Sequence, residues 1–413
     1  MIRILTAGES HGEALVGIVE GVPAGLSLPL DYINQQLARR WIGYGRGGRA
    51  KIERDVVHVY SGIRFARTMG SPIALRIDNA AYGKDRAGWP EVMAVEGSGE
   101  GIERVTLPRP GHADLVGLQK YRLDDIRPVI DRASARETAM RVACCSVARR
   151  LLEAVGIEVA SHVVQIGEVG YDAPGAWRAW VDELTAAGAA ELNRTADQSE
   201  VRMLDPELSA RCVNHIRKTK EEGDSLGGIY EVIVTGVPPG LGSYVQWDRR
   251  LDGHIAQAIL SIQAQKAVEI GDGILAARLP GSHVHDAITG DAADGYPRMT
   301  NRAGGVEGGM SNGMPIIVRG YMKPIPTLIK PLGTVDVATG AAQPTRYERS
   351  DVTSVPAAST VAEATIALAV ANAFLEKYGG DSLDEIVERY AGRRGEGNQS
   401  NPSASGASLP ASP

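Results

Sequence analysis

The chain has 413 residues, 43% hydrophobic and 23% charged, the composition of a globular protein and not of a disordered or fibrous one. Its formal net charge of −6 disfavours a long nucleic-acid-binding surface, and its three cysteines, two of them adjacent, form neither a disulfide framework nor a metal-ligand spacing. Phenylalanine occurs twice but glycine 49 times, clustered at 43–48 and 304–313 without a collagen-like period, which suggests loops pressed close to something.

Residues 2–7 and 15–19 are short β-branched runs around Glu9–Gly12 and predict two strands joined by a Gly/His loop. Asp31 is placed to cap a helix whose Ile33, Leu37 and Trp41 share one face, and that helix runs into Arg39-Arg40 and the loop 43–49. Val56–Tyr60 and Ile73–Ile77 predict further strands. Ser134 and Glu137 have capping-box spacing for a long helix ending at Gly156, with Cys144 and Cys145 as core residues. Polar helices follow over 171–222, then a strand over 228–237, a helix over 251–268 and strands at 274–279 and 315–321. Thr360 with Glu363 predicts a capping box opening an apolar core helix to Phe374, and Ser382 with Glu385 a short terminal one.

Strands and helices mix without a regular βαβ rhythm, so an α+β layered core is expected in place of a doubly wound sheet. Residues 1–391 are expected to form a single catalytic domain, and 392–413, rich in Gly, Ser, Pro, Ala and Asn, a disordered tail. Arg3 and Glu9 interrupt any signal-like run, and the apolar window 361–375 contains Glu363 and is too short to span a bilayer. With thiols suited to a reducing compartment, a cytoplasmic protein is expected.

Three local features carry chemistry. His11 lies between small residues directly after a strand, where it serves either as a general acid near neutral pH or as a turn residue bonding backbone. Arg39, Arg40, Arg46, Arg49 and Lys51 read as an anion pocket, a solvated basic face or an RGG-type RNA contact. The glycines favour the pocket, because they let guanidinium forks approach a phosphate or carboxylate. Arg132 and Arg136 flank a helix N-terminus, read either as an anion site or as an ordinary capped helix with surface arginines. There is no P-loop and no dinucleotide-binding fingerprint, and His283-x-His285-Asp286 lacks a third ligand nearby, so metal is not expected.

Taken in order, GESHGEALVGIVEGVP (8–23), GYGRGGR (43–49), RPGHAD (109–114), DRASARETAMRVACCSV (131–147), SIQAQKAVEIGDG (261–273), NRAGGVEGGMSNG (301–313), MKPIPT (322–327) and RSDVTSVPAASTVAE (349–363) resemble the motifs of the chorismate synthase family. The resemblance spans residues 1 to about 390. It departs at Asp131, where Gly or Glu is expected, and at Thr353 and Thr365. None of these is expected to touch a residue assigned to chemistry.

The resemblance implies a β-α-β sandwich with long core helices between antiparallel sheets, assembled as a homotetramer. It implies conversion of 5-enolpyruvylshikimate 3-phosphate to chorismate and phosphate, a trans-1,4-elimination needing reduced FMN, whose N5 takes the hydrogen leaving C6. His11 would be the acid for the departing phosphate, His112 would sit by the flavin pyrimidine edge, and Asp351, paired with Arg349, would relay the proton at N5. FMN contacts are implied for Arg132, Ala133, Ser134, Gln263, Ala264, Gly308, Lys323, Pro324, Ile325, Pro326, Thr327 and Arg349. Arg40, Arg46 and Arg136 would face the substrate anions, with NADPH as an alternative occupant of the Arg40/Arg46 site. An external flavin reductase is the expected source of reduced FMN. A nucleic-acid binder resting on GRGGR and a simple flavin reductase are the rival readings.

Overall fold

The computed structural model describes residues 1–45, 55–83, 88–172, 175–186, 188–291, 295–345 and 351–396, the last four by backbone alone. A first antiparallel sheet is built from β1 (Arg3–Ala7), β2 (Ala14–Glu20), β3 (Val57–Val59) and β4 (Ile73–Asp78) in the order β1-β2-β4-β3. Leu15 and Val19 of β2 and Ile73, Leu75 and Ile77 of β4 alternate onto the buried face, the period-two pattern of a half-buried sheet. A second antiparallel sheet contains β5 (Glu158–Ile166), β6 (Val169–Gly170), β7 (Gly228–Thr235), β8 (Gln265–Ile270) and β9 (Ile316–Met322), ordered β8-β9-β7-β5-β6.

Helices connect the strands of the two sheets. In chain order they are α1 (Leu30–Arg40), α2 (Trp89–Val92), α3 (Asp114–Tyr121), α4 (Arg127–Arg132), α5 (Glu137–Ala154), α6 (Arg178–Ala186), α7 (Ala189–Asp197), α8 (Pro206–Glu221), α9 (Leu251–Leu260), α10 (Gly273–Ala276), α11 (Val355–Tyr378) and α12 (Leu383–Glu396). α5 packs on the first sheet, α11 on the second, and the two pack on each other, giving a β-α-β sandwich. The approach of α5 to β2 explains Gly17: a Cβ there would stand 2.5 Å from Met140 Sδ and Cys144 Sγ. Cys144 and Cys145 are fully buried, as expected of core thiols, and burial pushes Cys145 up to about 12.

Several expectations are corrected. α5 begins at Glu137, because Ser134 Oγ accepts from Arg136 N and Glu137 instead accepts from Thr6 Oγ1, at 2.9 Å. α1 has no side-chain cap, and Asp31 lies in its first turn. Residues 251–268 form a helix followed by a strand, and 273–276 form a helical turn. β5, all but two of whose residues are buried, lacks the alternation that marks a half-exposed strand, and the sequence pattern gave no sign of it.

Thr360 and Glu363 are no capping box. α11 starts at Val355 with Pro356 in its first turn, and Glu363 lies in mid-helix accepting from Arg39, Arg149 and Arg202. At 24 residues α11 is long and apolar enough to cross a membrane, contrary to the expectation from 361–375. Yet 83% of its most apolar window is buried inside the fold, as in a core helix. The Ser382/Glu385 capping box is present, with Glu385 N bonded to Ser382 Oγ and Glu385 Oε2 accepting from Asp381 N and Ser382 N. α12 continues to Glu396, and residues 397–413 lie outside the described residues.

Candidate active site

The loop between β1 and β2 carries His11. Gly8 opens it with φ +102°, where a Cβ would stand 2.4 Å from Ala14 O, so only glycine fits without strain. Ser10 N bonds Asp131 O at 3.0 Å, tying the loop to the end of α4. His11 Nδ1 is bonded to Asp131 Oδ1, and the ring stacks on Trp89 with centroids 3.8 Å apart and planes at 19°. Arg127 lies over the other ring system, 5.4 Å from the Trp89 centroid and 3.8 Å from Asp131 Oδ2. The expectation that Asp131 touches no residue assigned to chemistry is therefore corrected: it is the direct partner of His11.

Arg40 and Arg136 form a buried pair on Asp55. Arg136 Nη1 donates to Asp55 Oδ1 at 2.5 Å, and Arg40 Nη1 is 3.6 Å from Asp55 Oδ2. Arg40 also donates to Thr138 Oγ1 and Ala135 O, each at 2.9 Å, around the start of α5. Both residues are only 6% exposed, which excludes the surface-arginine reading of Arg136. Two cations against one carboxylate leave a local excess of positive charge at the start of α5, where the helix dipole adds to it, as an anion site requires. Arg39, grouped with this cluster in the sequence, points the other way and joins the Glu363 network. Arg46, Arg49 and Lys51 lie outside the described residues.

His112 sits just before α3. Its Nδ1 is 2.5 Å from Asp114 Oδ1, and Arg109 bonds both Asp114 oxygens and Thr327 Oγ1. Burial opposes ionisation of Asp114, but bonds from His112 and Arg109 outweigh it and hold the carboxyl well below the usual carboxylate range. Lys323 Nζ donates to Gly111 O, and Lys323 N to Ala264 O at 3.0 Å, so the 323–327 segment lies between the His112 loop and residues 263–264. Gln263 Nε2 reaches Glu137 Oε2 at 3.4 Å, Glu137 holds Thr6, and Arg132 donates to the carbonyls of Thr6 and Gly8.

These contacts close into a ring. Ile325 O accepts from Ser225 Oγ at 2.6 Å, Val352 O from Leu226 N at 2.8 Å, and Gly45 O from Val352 N at 2.9 Å. Gly45 follows α1 and Arg40, while Asp351 precedes Val352 and accepts from Ser354 Oγ at 3.1 Å. His11, His112, Asp351, Arg40, Arg136, Arg132–Ser134, Gln263, Ala264 and Lys323–Thr327 thus share one contiguous region. Gly308 has no direct hydrogen bond to this region among the described residues. It turns between residues 306–307 and 310–311, beside the start of α9, whose ten residues put about 15 Å between it and the 263–264 segment. Arg349 lies outside the described residues.

Sequence reasoning missed Asp131's contact, Trp89, Asn79, Asp55 and Asp114. Asn79, just past β4, donates to Glu9 O at 3.0 Å and Gly12 O at 2.7 Å. Nothing in its local sequence marks it, whereas Asp114 stands two residues from His112 and was open to notice. Among the described residues, no group of three or more His, Cys, Asp or Glu could hold a metal ion.

The profile of the chorismate synthase family matches residues 2–375. The chain belongs to the chorismate synthase family. The chorismate synthase of Salinibacter ruber is 66% identical over 406 residues, covering 97% of this chain and all of that protein. That of Chlorobaculum tepidum is 54% identical over 390 residues, covering 94% and 96%. A crystal structure of a chorismate synthase superposes with a TM-score of 0.75 at 40% identity, covering 96% of this chain and 98% of that one. The family is one of carbon–oxygen lyases, and the α+β sandwich expected from the resemblance is the fold observed.

Proposed function

We propose that this chain is a working chorismate synthase, which eliminates phosphate from 5-enolpyruvylshikimate 3-phosphate to give chorismate, the last step of the shikimate pathway. The observation that carries this reading is the closed ring of contacts around two histidines and the buried Arg40–Arg136 pair, in a chain of this family. The substrate brings a phosphate and two carboxylates, and the arginine pair supplies the fixed, desolvated positive charge that such groups need.

His11 donates a proton to the leaving phosphate, so that C–O cleavage at C3 does not release an unneutralised anion. The hydrogen at C6 leaves as the ring double bonds shift, and no net oxidation results. His112, held by Asp114 and Arg109, offers a positive or polar edge to a bound flavin. Asp351 is the candidate carboxylate for a proton relay. Arg40 and Arg46 hold substrate anions, with NADPH as the other candidate occupant.

The residues fit FMN: Gln263 Oε1 is buried with no hydrogen-bond partner among the described residues, beside Ala264 and Lys323, which are bonded to each other. When bound, reduced FMN supplies transient electron density to the breaking C–O bond. Leu5 and Val16, 71% and 42% exposed on the outer face of the first sheet, support assembly with further copies, a homotetramer by family resemblance. Residues 1–391 are taken as one catalytic unit, working in the cytoplasm and supplied with reduced FMN by a separate reductase.

The test is an anaerobic assay with photoreduced FMN and substrate, following phosphate and chorismate together. Equal amounts of both, absent with oxidised FMN, support the reading. NADPH consumption without substrate would favour a flavin reductase, and salt-sensitive oligonucleotide binding would favour the nucleic-acid reading.

A further inference from the structure

We propose that Asp131 and Trp89 are positioning residues for His11, fixing its tautomer and ring plane so that the proton it transfers comes from Nε2. The inference rests on the proposed acid role of His11 and adds to it the device that aims the acid. Asp131 is fully buried at the end of α4, while His11 is 19% exposed, so the ring is gripped from inside and presented outward. The carboxylate takes Nδ1. A neutral imidazole whose Nδ1–H bonds a carboxylate has its acceptor at Nε2, and a protonated one has its remaining N–H there. Proton transfer is thereby directed to one nitrogen.

The rest of the surroundings hold the pair in place. Asp131 Oδ2 is buried without a hydrogen bond among the described residues, with Arg127 3.8 Å away, so His11 is the main bonded partner of this carboxylate. Ser10 N bonds the Asp131 carbonyl, fixing the histidine loop and the carboxylate to each other through backbone as well as side chain. Trp89 then limits rotation about the remaining axis. Its ring lies nearly parallel to the imidazole at 3.8 Å, with Arg127 over its own centroid. An imidazole held at Nδ1 and stacked on one face keeps one direction for Nε2.

The experiment compares Asp131→Asn, Asp131→Glu, Trp89→Leu and His11→Asn in the full chain with reduced FMN. Asp131→Asn is expected to lower kcat by roughly 100-fold, within the 10²–10⁴ that a positioned acid contributes, with KM changed less than about threefold. Asp131→Glu should recover most of that loss, and Trp89→Leu should lower kcat by about tenfold. Independently, ¹⁵N NMR of the neutral His11 ring should find the proton on Nδ1 in the wild-type enzyme and a shift toward Nε2–H in Asp131→Asn. A wild-type ring protonated on Nε2 overturns the proposal without any substitution, and so does an Asp131→Asn enzyme with unchanged kcat. Normal turnover by His11→Asn would instead remove the acid role itself, which separates the two failures.

Discussion

Arg136 donates through Nε to Asn79 Oδ1 at 2.9 Å, and the same Asn79 amide holds the carbonyls of Glu9 and Gly12 on either side of His11. One buried amide therefore links the arginine proposed to face the substrate's anions to the loop that carries the proposed acid. Asn79→Ala removes three hydrogen bonds and leaves two carbonyls and a guanidinium N–H to find other partners. It is expected to cost about 1–3 kcal/mol of stability and to raise KM and lower kcat together. Thermal denaturation alongside steady-state kinetics checks this.

Arg136→Lys keeps the charge but loses the planar fork that spans Asn79 and Asp55. Because bidentate geometry and not charge alone fixes the pair, KM for substrate is expected to rise about tenfold or more, with the chain still folded. Titration of substrate into the anaerobic enzyme measures it.

Asp114→Asn removes the carboxylate that orients His112. Flavin affinity is expected to fall, with phosphate release slowed and the Arg40–Arg136 pair undisturbed. Fluorescence titration of FMN reads the affinity directly.

Glu363 sits among Arg39, Arg149 and Arg202. Burial alone would raise its carboxyl, but those charges hold it well below the usual range. The unfolded chain takes up the proton near the ordinary value of about 4.3 and the folded chain only at lower pH. The unfolded state therefore binds more protons in that window, and stability rises with pH. The contribution is complete above about pH 5 and is lost as pH falls through the folded value. Glu363→Gln should cost about 3–5 kcal/mol at neutral pH and flatten the acid limb of the stability profile. Denaturant unfolding between pH 3 and 7 tests both, within those approximate bounds.

Much of this is legible in the sequence. β1, β2, β4 and β9 follow from runs of β-branched residues, and the α12 capping box from Ser382 and Glu385. The motifs carrying His11, His112, Arg136 and Lys323–Thr327 identify the family unaided. Three things were not legible, each for a physical reason. β5 is buried on both faces and has no alternation to detect. Thr360 and Glu363 have capping-box spacing by coincidence, since a buried glutamate paired with arginines distant in sequence leaves no local pattern. The partners of the site residues, Asp131, Asn79 and Asp55, act across 120, 67 and 81 positions of the chain, and spacing along a sequence does not encode such contacts. Arg39 and Arg40 make the same point: neighbours in sequence, they end in different networks because successive helical residues face different ways.

The most direct test of the account is a rapid-mixing single turnover of substrate on anaerobic enzyme with reduced FMN, wild type against His11→Ala. The account predicts that phosphate and chorismate appear together at the same rate in the wild type. It predicts that both slow by about 100-fold or more in His11→Ala while substrate binding changes little. Undiminished phosphate release in His11→Ala, or a loss carried entirely by weaker binding, would contradict it.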